Sequence, residues 1–266
     1  MASKRSRPAP TTRLLDLLVL RFPGYDRDTL YRSVMCSEVL VDGTVVHDPG
    51  AAVHRDARLE IIRDRFVSRG GEKLAAALTA WNLPVAGRVW LDAGASTGGF
   101  TDALLQHGAA QVHAVDVGYN QLDYRLRNDP RVIVRERTKI QDITSLEPVP
   151  AAAVCDLSFR SLRGVLAHIL SLTVEGWGIA LLKPQFEAAA EMRWGRRAAV
   201  GLDDGVLDRR FREEVIEGTV RDLREEGIVV ERRIDSPVPG RRGNLEVLVF
   251  VRLAPGALVP TGDPPG

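Results

Sequence analysis

The stretch Leu91-Asp92-Ala93-Gly94-Ala95-Ser96-Thr97-Gly98-Gly99-Phe100-Thr101 decides how this chain folds. The apolar run Val89-Trp90-Leu91 leads into it, and Phe100-Thr101-Asp102-Ala103-Leu104-Leu105 leads out. That order predicts a buried strand, a glycine-rich turn and then a helix. Glycine lets the backbone take positive φ and lets a ligand approach closely. A helix N-terminus behind the turn presents unpaired N–H groups and the positive end of the helix dipole. Such a turn suits a ligand carrying a carboxylate, a phosphate or a nucleotide.

The glycine spacing narrows the ligand. A nicotinamide fingerprint would read G-x-G-x-x-G, whereas the glycines here fall at 94, 98 and 99. A P-loop would close with Gly-Lys-Ser/Thr, which is absent from this stretch. Strand, Asp-x-Gly-x-x-x-Gly-Gly, helix is similar to the order in S-adenosylmethionine-dependent methyltransferases. The resemblance implies that Asp92, Gly94, Ser96, Gly98, Gly99 and Phe100 lie against that cofactor.

Outward from the turn, composition sets bounds. The chain has 266 residues, room for one large domain and a small one. A hydrophobic content of 45% and a charged content of 27% are those of an ordinary soluble protein. With a net charge of +1, any nucleic-acid surface has to come from local clustering. Residues 1–35 supply it, with seven Lys/Arg against three acids. The two cysteines, Cys36 and Cys155, are far apart and form neither a metal cluster nor a disulfide framework. No metal is therefore expected, and a reducing, cytoplasmic location is. Leu14-Leu15-Asp16-Leu17-Leu18-Val19-Leu20 is interrupted by Asp16 and stopped by Arg21, so neither a signal peptide nor a membrane span is expected. A monomer is expected.

Residues 1–11 are basic and Pro-rich and are expected to form a disordered tail. From 12 to 62 a small α+β domain is predicted. Leucines at helical spacing mark a first helix, and Leu30, Val34 and Met35 mark a second. Val39-Leu40-Val41, Asp42-Gly43 and Thr44-Val45-Val46 then form a hairpin, with Leu59-Glu60-Ile61-Ile62 as a further strand. This layout resembles the RNA-binding domain named for the fourth small-subunit ribosomal protein. Arg13, Arg27 and Arg32 are its candidate phosphate contacts. Residues 63–72 are expected to link it to a catalytic domain spanning 73–253, and 254–266 to form a loose Pro/Gly-rich tail.

In that second domain, strands near 88–92, 111–116, 132–135, 151–156 and 177–183 alternate with helices near 98–107, 160–172 and 208–226. Late strands near 228–234 and 245–252 follow without a helix between them. The predicted fold is α/β, a doubly wound Rossmann-like sheet whose last strand runs antiparallel. In such a sheet, ligands bind beyond the carboxyl ends of the strands. Asp92, Asp116, Asp156 and Lys183 each end a predicted strand. Asp116 is placed to take the ribose hydroxyls of the cofactor. Glu246 begins the antiparallel strand and Lys73 begins the preceding helix, so both belong on the same edge.

Ser68-Arg69-Gly70-Gly71-Glu72-Lys73-Leu74, Cys155-Asp156-Leu157-Ser158-Phe159, Leu182-Lys183-Pro184-Gln185-Phe186-Glu187 and Gly243-Asn244-Leu245-Glu246 together closely resemble the TlyA family. Its members are ribosomal RNA 2′-O-methyltransferases with an FtsJ-like catalytic domain. The resemblance implies a catalytic tetrad of Lys73, Asp156, Lys183 and Glu246, with cytidine 2′-hydroxyl in ribosomal RNA, free or in a subunit, as acceptor. The family tends to read Glu-Arg-Thr-Asn where this chain has Glu136-Arg137-Thr138-Lys139, so Asp142 is the expected adenine contact instead. The basic loop with Arg193, Trp194, Arg196 and Arg197, together with Arg69, is expected to hold RNA by charge and stacking. Lys183 is the expected base, and a lysine takes up a proton only as the neutral amine. Two rival readings are methylation of another RNA and a non-catalytic RNA-binding or ribosome-assembly protein. A third, a pore-forming hemolysin, lacks a membrane segment.

Overall fold

The computed structural model describes residues 10–35, 37–61, 65–195 and 201–256. The chain divides into two compact units, Met1–Asp64 and Arg65–Gly266.

The first unit opens with strand β1 (Thr11–Arg13), followed by helices α1 (Leu14–Arg21) and α2 (Arg27–Met35). Strands β2 (Val39–Val41), β3 (Thr44–Val45), β4 (Ala52–His54) and β5 (Leu59–Ile61) complete it. Leu14, Leu17 and Leu18 on one face of α1 bury against Leu30 and Val34 of α2, closing over Val39 and Val53. Asp42 and Gly43, at φ 49° and 80°, take the two positive-φ positions that a tight hairpin turn requires. One expectation needs correction, and one strand was not expected. Thr11 belongs to β1, which pairs antiparallel with β4, Thr11 opposite His54, so the ordered unit begins inside the predicted tail. Strand β4 gave no alternating signal because Val53 alone of its three residues is buried.

The second unit begins before the predicted boundary. Phe66 is buried, and helix α3 (Gly70–Trp81) starts three residues ahead of Lys73. Gly70-Gly71 looked like a break, yet a Cβ on Gly71 would lie 2.2 Å from Cγ of Phe66. The glycine is there to let that ring pack. Then follow β6 (Val89–Ala93), α4 (Gly99–Gln106), β7 (Gln111–Val115), α5 (Tyr124–Arg127), β8 (Val132–Arg135), β9 (Ala152–Cys155), α6 (Leu166–Ser171) and β10 (Trp177–Leu182). Last come α7 (Pro184–Arg193), the hairpin β11 (Leu202–Asp203) and β12 (Val206–Leu207), α8 (Arg209–Glu225), β13 (Ile228–Asp235) and β14 (Val247–Leu253).

Seven of these strands form one sheet in the order β13-β14-β10-β9-β6-β7-β8. Strands β6 to β10 run parallel, and β14 runs antiparallel to both β10 and β13. The doubly wound sheet with an antiparallel last strand is therefore as the sequence predicts. Side chains alternate across it. Trp90 faces the layer of α3 and α4, whereas Leu91 faces that of α6 and α8. Trp90 is fully buried and meets Trp177 edge to face, with centroids 5.4 Å apart. Helix α6 is shorter than predicted, because residues 160–165 form a loop. Among the described residues no helix is long and apolar enough to cross a membrane.

Candidate active site

Strand β6 delivers Asp92 into the interior and then breaks into the turn. Gly94, Ser96 and Gly98 all take positive φ, at 87°, 48° and 97°. Asp92 is fully buried and accepts the Thr101 hydroxyl on Oδ2 at 2.6 Å. Its other oxygen, Oδ1, has no hydrogen-bond partner among the described residues. Burial pushes its pKa up to about 7 against the pull of Thr101, and the charges of Asp156 and Asp116 add to the rise. An orphaned carboxyl oxygen beneath a glycine turn fits a ligand that brings positive charge or N–H groups. Asp116 follows β7 and accepts the N–H of Ser96 at 2.8 Å and of Gly118 at 2.6 Å. An ionised carboxylate has about four acceptor positions, so room remains for a ribose diol.

The glycines also make room for neighbouring parts of the chain. A Cβ on Gly98 would lie 2.2 Å from Leu126 Cδ1, and one on Gly99 would lie 2.3 Å from Ser68 Oγ. A Cβ on Gly94 would meet the carbonyl oxygen of Asp156 at 2.5 Å, so this glycine presses the turn against the end of β9. The Phe100 side chain is buried in the α3/α4 layer, which leaves its backbone N–H as the group for a ligand. Asp142 lies exposed on a short 3-10 turn, Ile140–Asp142.

Beside that turn two lysines and two acids meet in pairs. Lys183, immediately after β10, holds its Nζ 2.6 Å from Asp156 Oδ1, immediately after β9. Lys73, in the first turn of α3, holds its Nζ 2.5 Å from Glu246 Oε2. Leu182 pairs with Val247 in the antiparallel ladder, so Lys183 and Glu246 stand at the same level. Gln185 Nε2, 3.3 Å from Glu246 Oε1, ties the start of α7 to that second pair. Glu246 is almost wholly enclosed. A Cβ on Gly240 would lie 2.2 Å from its Oε1, so a side chain there would have to displace the enclosed carboxylate. Buried charges persist when paired, as these are, and the Lys73–Glu246 pair is hydrogen-bonded as well.

Residues 66–253 match the family described as FtsJ-like methyltransferase. The chain belongs to that family. It is 39% identical over 258 residues to YqxC of Bacillus subtilis, covering 94% of this chain and 87% of that one. It is also 39% identical over 241 residues to "16S/23S rRNA (cytidine-2'-O)-methyltransferase TlyA" of Mycobacterium tuberculosis, covering 88% and 87%. A solved structure described as "Putative hemolysin from Streptococcus thermophilus" superposes with a TM-score of 0.65 at 34% identity, covering 93% of this chain and 90% of that one.

In this methyltransferase several residues that the sequence reading passed over hold the site together. Ser158 Oγ lies 3.2 Å from Lys183 Nζ. Glu187, one turn along α7 from Lys183, accepts the Leu162 N–H at 2.8 Å and the Ser161 hydroxyl, so it ties the loop after Asp156 to α7. Arg163 continues that anchorage, reaching Glu191 and Thr219 at 3.0 Å and Asp222 at 3.1 Å. Phe159, at φ 61° and 81% exposed, packs on the Phe186 ring with centroids 5.2 Å apart. Glu136 latches the loop after Asp116 by accepting the N–H groups of Asn120, Gln121 and Leu122. The Arg127 guanidinium at 2.7 Å, with those N–H groups, draws the Glu136 pKa down to about 2. Ser158, Phe159 and Glu187 stood within quoted motifs. Their acceptor and donor chemistry was visible in the sequence, but their partners were not.

The candidate RNA contacts are dispersed. Arg13, Arg27 and Arg32 are exposed on the first unit. Arg27 pairs with Asp16 at 3.1 Å, and Arg32 donates to the Asp28 carbonyl. Arg69 is exposed at the start of α3, and Arg193 is exposed at the end of α7 beside Trp194. Arg196 and Arg197 lie outside the described residues.

Proposed function

We propose that this protein methylates the 2′-hydroxyl of cytidine ribose in ribosomal RNA, with S-adenosylmethionine as methyl donor. The observation that carries the reading is the Lys183–Asp156 pair, packed beside the Lys73–Glu246 pair at the mouth of the glycine turn. Kinship to a protein named as a cytidine-2′-O-methyltransferase supports the choice of acceptor. The Asp92 orphan oxygen and Asp116 would hold the methionine and ribose ends of the donor. When bound, S-adenosylmethionine supplies a methyl carbon activated by the sulfonium charge, and sulfur keeps the electron pair when its bond to that carbon breaks. The protein's task is then alignment and removal of one proton. Lys183 takes that proton from the 2′-hydroxyl, leaving an oxygen pair to form the new bond. Asp156 orients the amine, and Lys73 with Glu246 braces the ribose side. The first unit, through residue 64, holds RNA by its phosphates.

The test is Lys183→Ala, assayed for transfer of labelled methyl to ribosomal RNA with cofactor affinity measured in parallel. Loss of transfer by at least about a hundredfold at unchanged affinity is expected. Wild-type transfer in that variant would sink the assignment.

A further inference from the structure

A base needs its lone pair aimed as well as available, and the geometry around Lys183 shows what aims it. Nζ is roughly tetrahedral: one corner is Cε, and a neutral amine fills the others with two N–H bonds and one lone pair. Asp156 Oδ1, at 2.6 Å, is an ion-pair partner set off hydrogen-bond geometry, so its charge draws the N–H side of the amine without fixing a corner. With that attraction alone, the N–H bonds and the lone pair can exchange corners. Ser158 Oγ, at 3.2 Å and in hydrogen-bond geometry, accepts one N–H and so fixes a corner that the carboxylate does not. We propose that Ser158 is a positioning residue that holds one N–H of Lys183, so that, with the Asp156 charge drawing the other, the lone pair is turned to the side where a ribose 2′-hydroxyl is received. This rests on the reading of Lys183 as the base.

The fold holds Ser158 for this task from both ends. Upstream, the Asp156 N–H donates to the Ala93 carbonyl at 3.0 Å, fixing the chain two residues before the serine. Downstream, Phe159 leans on Phe186, and Glu187 clamps Ser161 and Leu162. Both clamps come from α7, the helix that Lys183 itself begins. Base and serine therefore move as one body. After proton transfer the ammonium has three N–H bonds, one held by Ser158, one drawn by the Asp156 charge and one toward the ribose oxygen.

Three variants in the full-length protein test this. In Ser158→Ala, the rate of methyl transfer at saturation should fall roughly tenfold, with affinities for S-adenosylhomocysteine and ribosomal RNA unchanged. Ser158→Thr, which keeps the hydroxyl, should recover most of the rate. In cofactor-free protein, solvent exchange of the Lys183 amine protons, read by nitrogen-edited NMR, should quicken several-fold in Ser158→Ala and return toward wild type in Ser158→Thr. A wild-type rate and wild-type exchange in Ser158→Ala, alongside an inactive Lys183→Ala, overturn the serine's role and leave the function standing. Loss of cofactor affinity in Ser158→Ala that threonine does not restore also overturns it, because the residue would then be structural. Activity in Lys183→Ala removes the base itself, and the serine's role with it.

Discussion

Asp92 is a fully buried carboxyl with one oxygen unpartnered and a pKa near 7, against 3.8 for an ordinary aspartate. An acid whose pKa is raised on folding leaves the native state at full stability below its unfolded value. That stability is lost as pH rises through the folded value. The window here runs from about pH 4 to about pH 7, and the span corresponds to roughly 4 kcal/mol. The urea midpoint of cofactor-free protein should therefore drop as pH is raised from 4 to 8, and Asp92→Asn should flatten the drop. Equal slopes in the two proteins would show that Asp92 is not the titrating group. The Lys73–Glu246 pair leads to a second prediction. Lys73→Met leaves Glu246 enclosed with Gln185 as its remaining side-chain partner among the described residues, at a cost of about 3 kcal/mol in urea unfolding. Adding Glu246→Gln to that variant should recover a substantial part, since both charges are then gone.

Helix α7 shows how an element serves the site without announcing itself. Its sequence, Pro184-Gln185-Phe186-Glu187-Ala188-Ala189-Ala190-Glu191-Met192-Arg193, has no apolar stripe at helical spacing, so no helix was expected there. Pro184 at the first helical position was the available signal, because proline pre-sets φ where its missing N–H costs nothing. The helix buries a carboxylate, Glu187, whose pKa burial raises, and uses it to hold the loop that follows Asp156. Glu187→Gln should lower stability by about 2 kcal/mol. It should also speed hydrogen exchange across 157–163 while exchange in the first unit stays unchanged. The loop after β7 is held in the same manner by Glu136, whose four contacts anchor the segment beyond Asp116. Glu136→Gln should weaken S-adenosylhomocysteine binding about tenfold, measured by calorimetry. Unaltered affinity would separate that loop from the cofactor.

At the scale of the molecule, the two units have separate apolar cores, one built on α1 and α2 and the others on the two faces of the large sheet. Residues 65–266 should therefore fold without the first unit and bind S-adenosylhomocysteine with near wild-type affinity. Affinity for ribosomal RNA should fall at least about tenfold, with a shallower dependence on salt, because phosphate contacts leave with the basic unit. Cofactor affinity lost together with the first 64 residues would mean that the cofactor site is not contained in the larger unit.

Much of this protein was legible in its sequence because period and punctuation suffice for it. Alternating apolar strands, the glycine turn after Leu91 and the uninterrupted passage from 228–234 to 245–252 specify a doubly wound sheet with an antiparallel last strand. The rule that ligands bind at strand ends brings Lys73, Asp92, Asp116, Asp156, Lys183 and Glu246 to one edge. What the tertiary structure alone decided is who partners whom. Lys73 pairs with a residue 173 positions away, and Glu187 reaches back 25 positions to a loop. Glycines 71, 98 and 99 make room for Phe66, Leu126 and Ser68, neighbours that the local sequence does not name. Local sequence sets φ, ψ and which face is apolar. Contacts between distant segments depend on how layers stack, and that is settled only when the whole core closes.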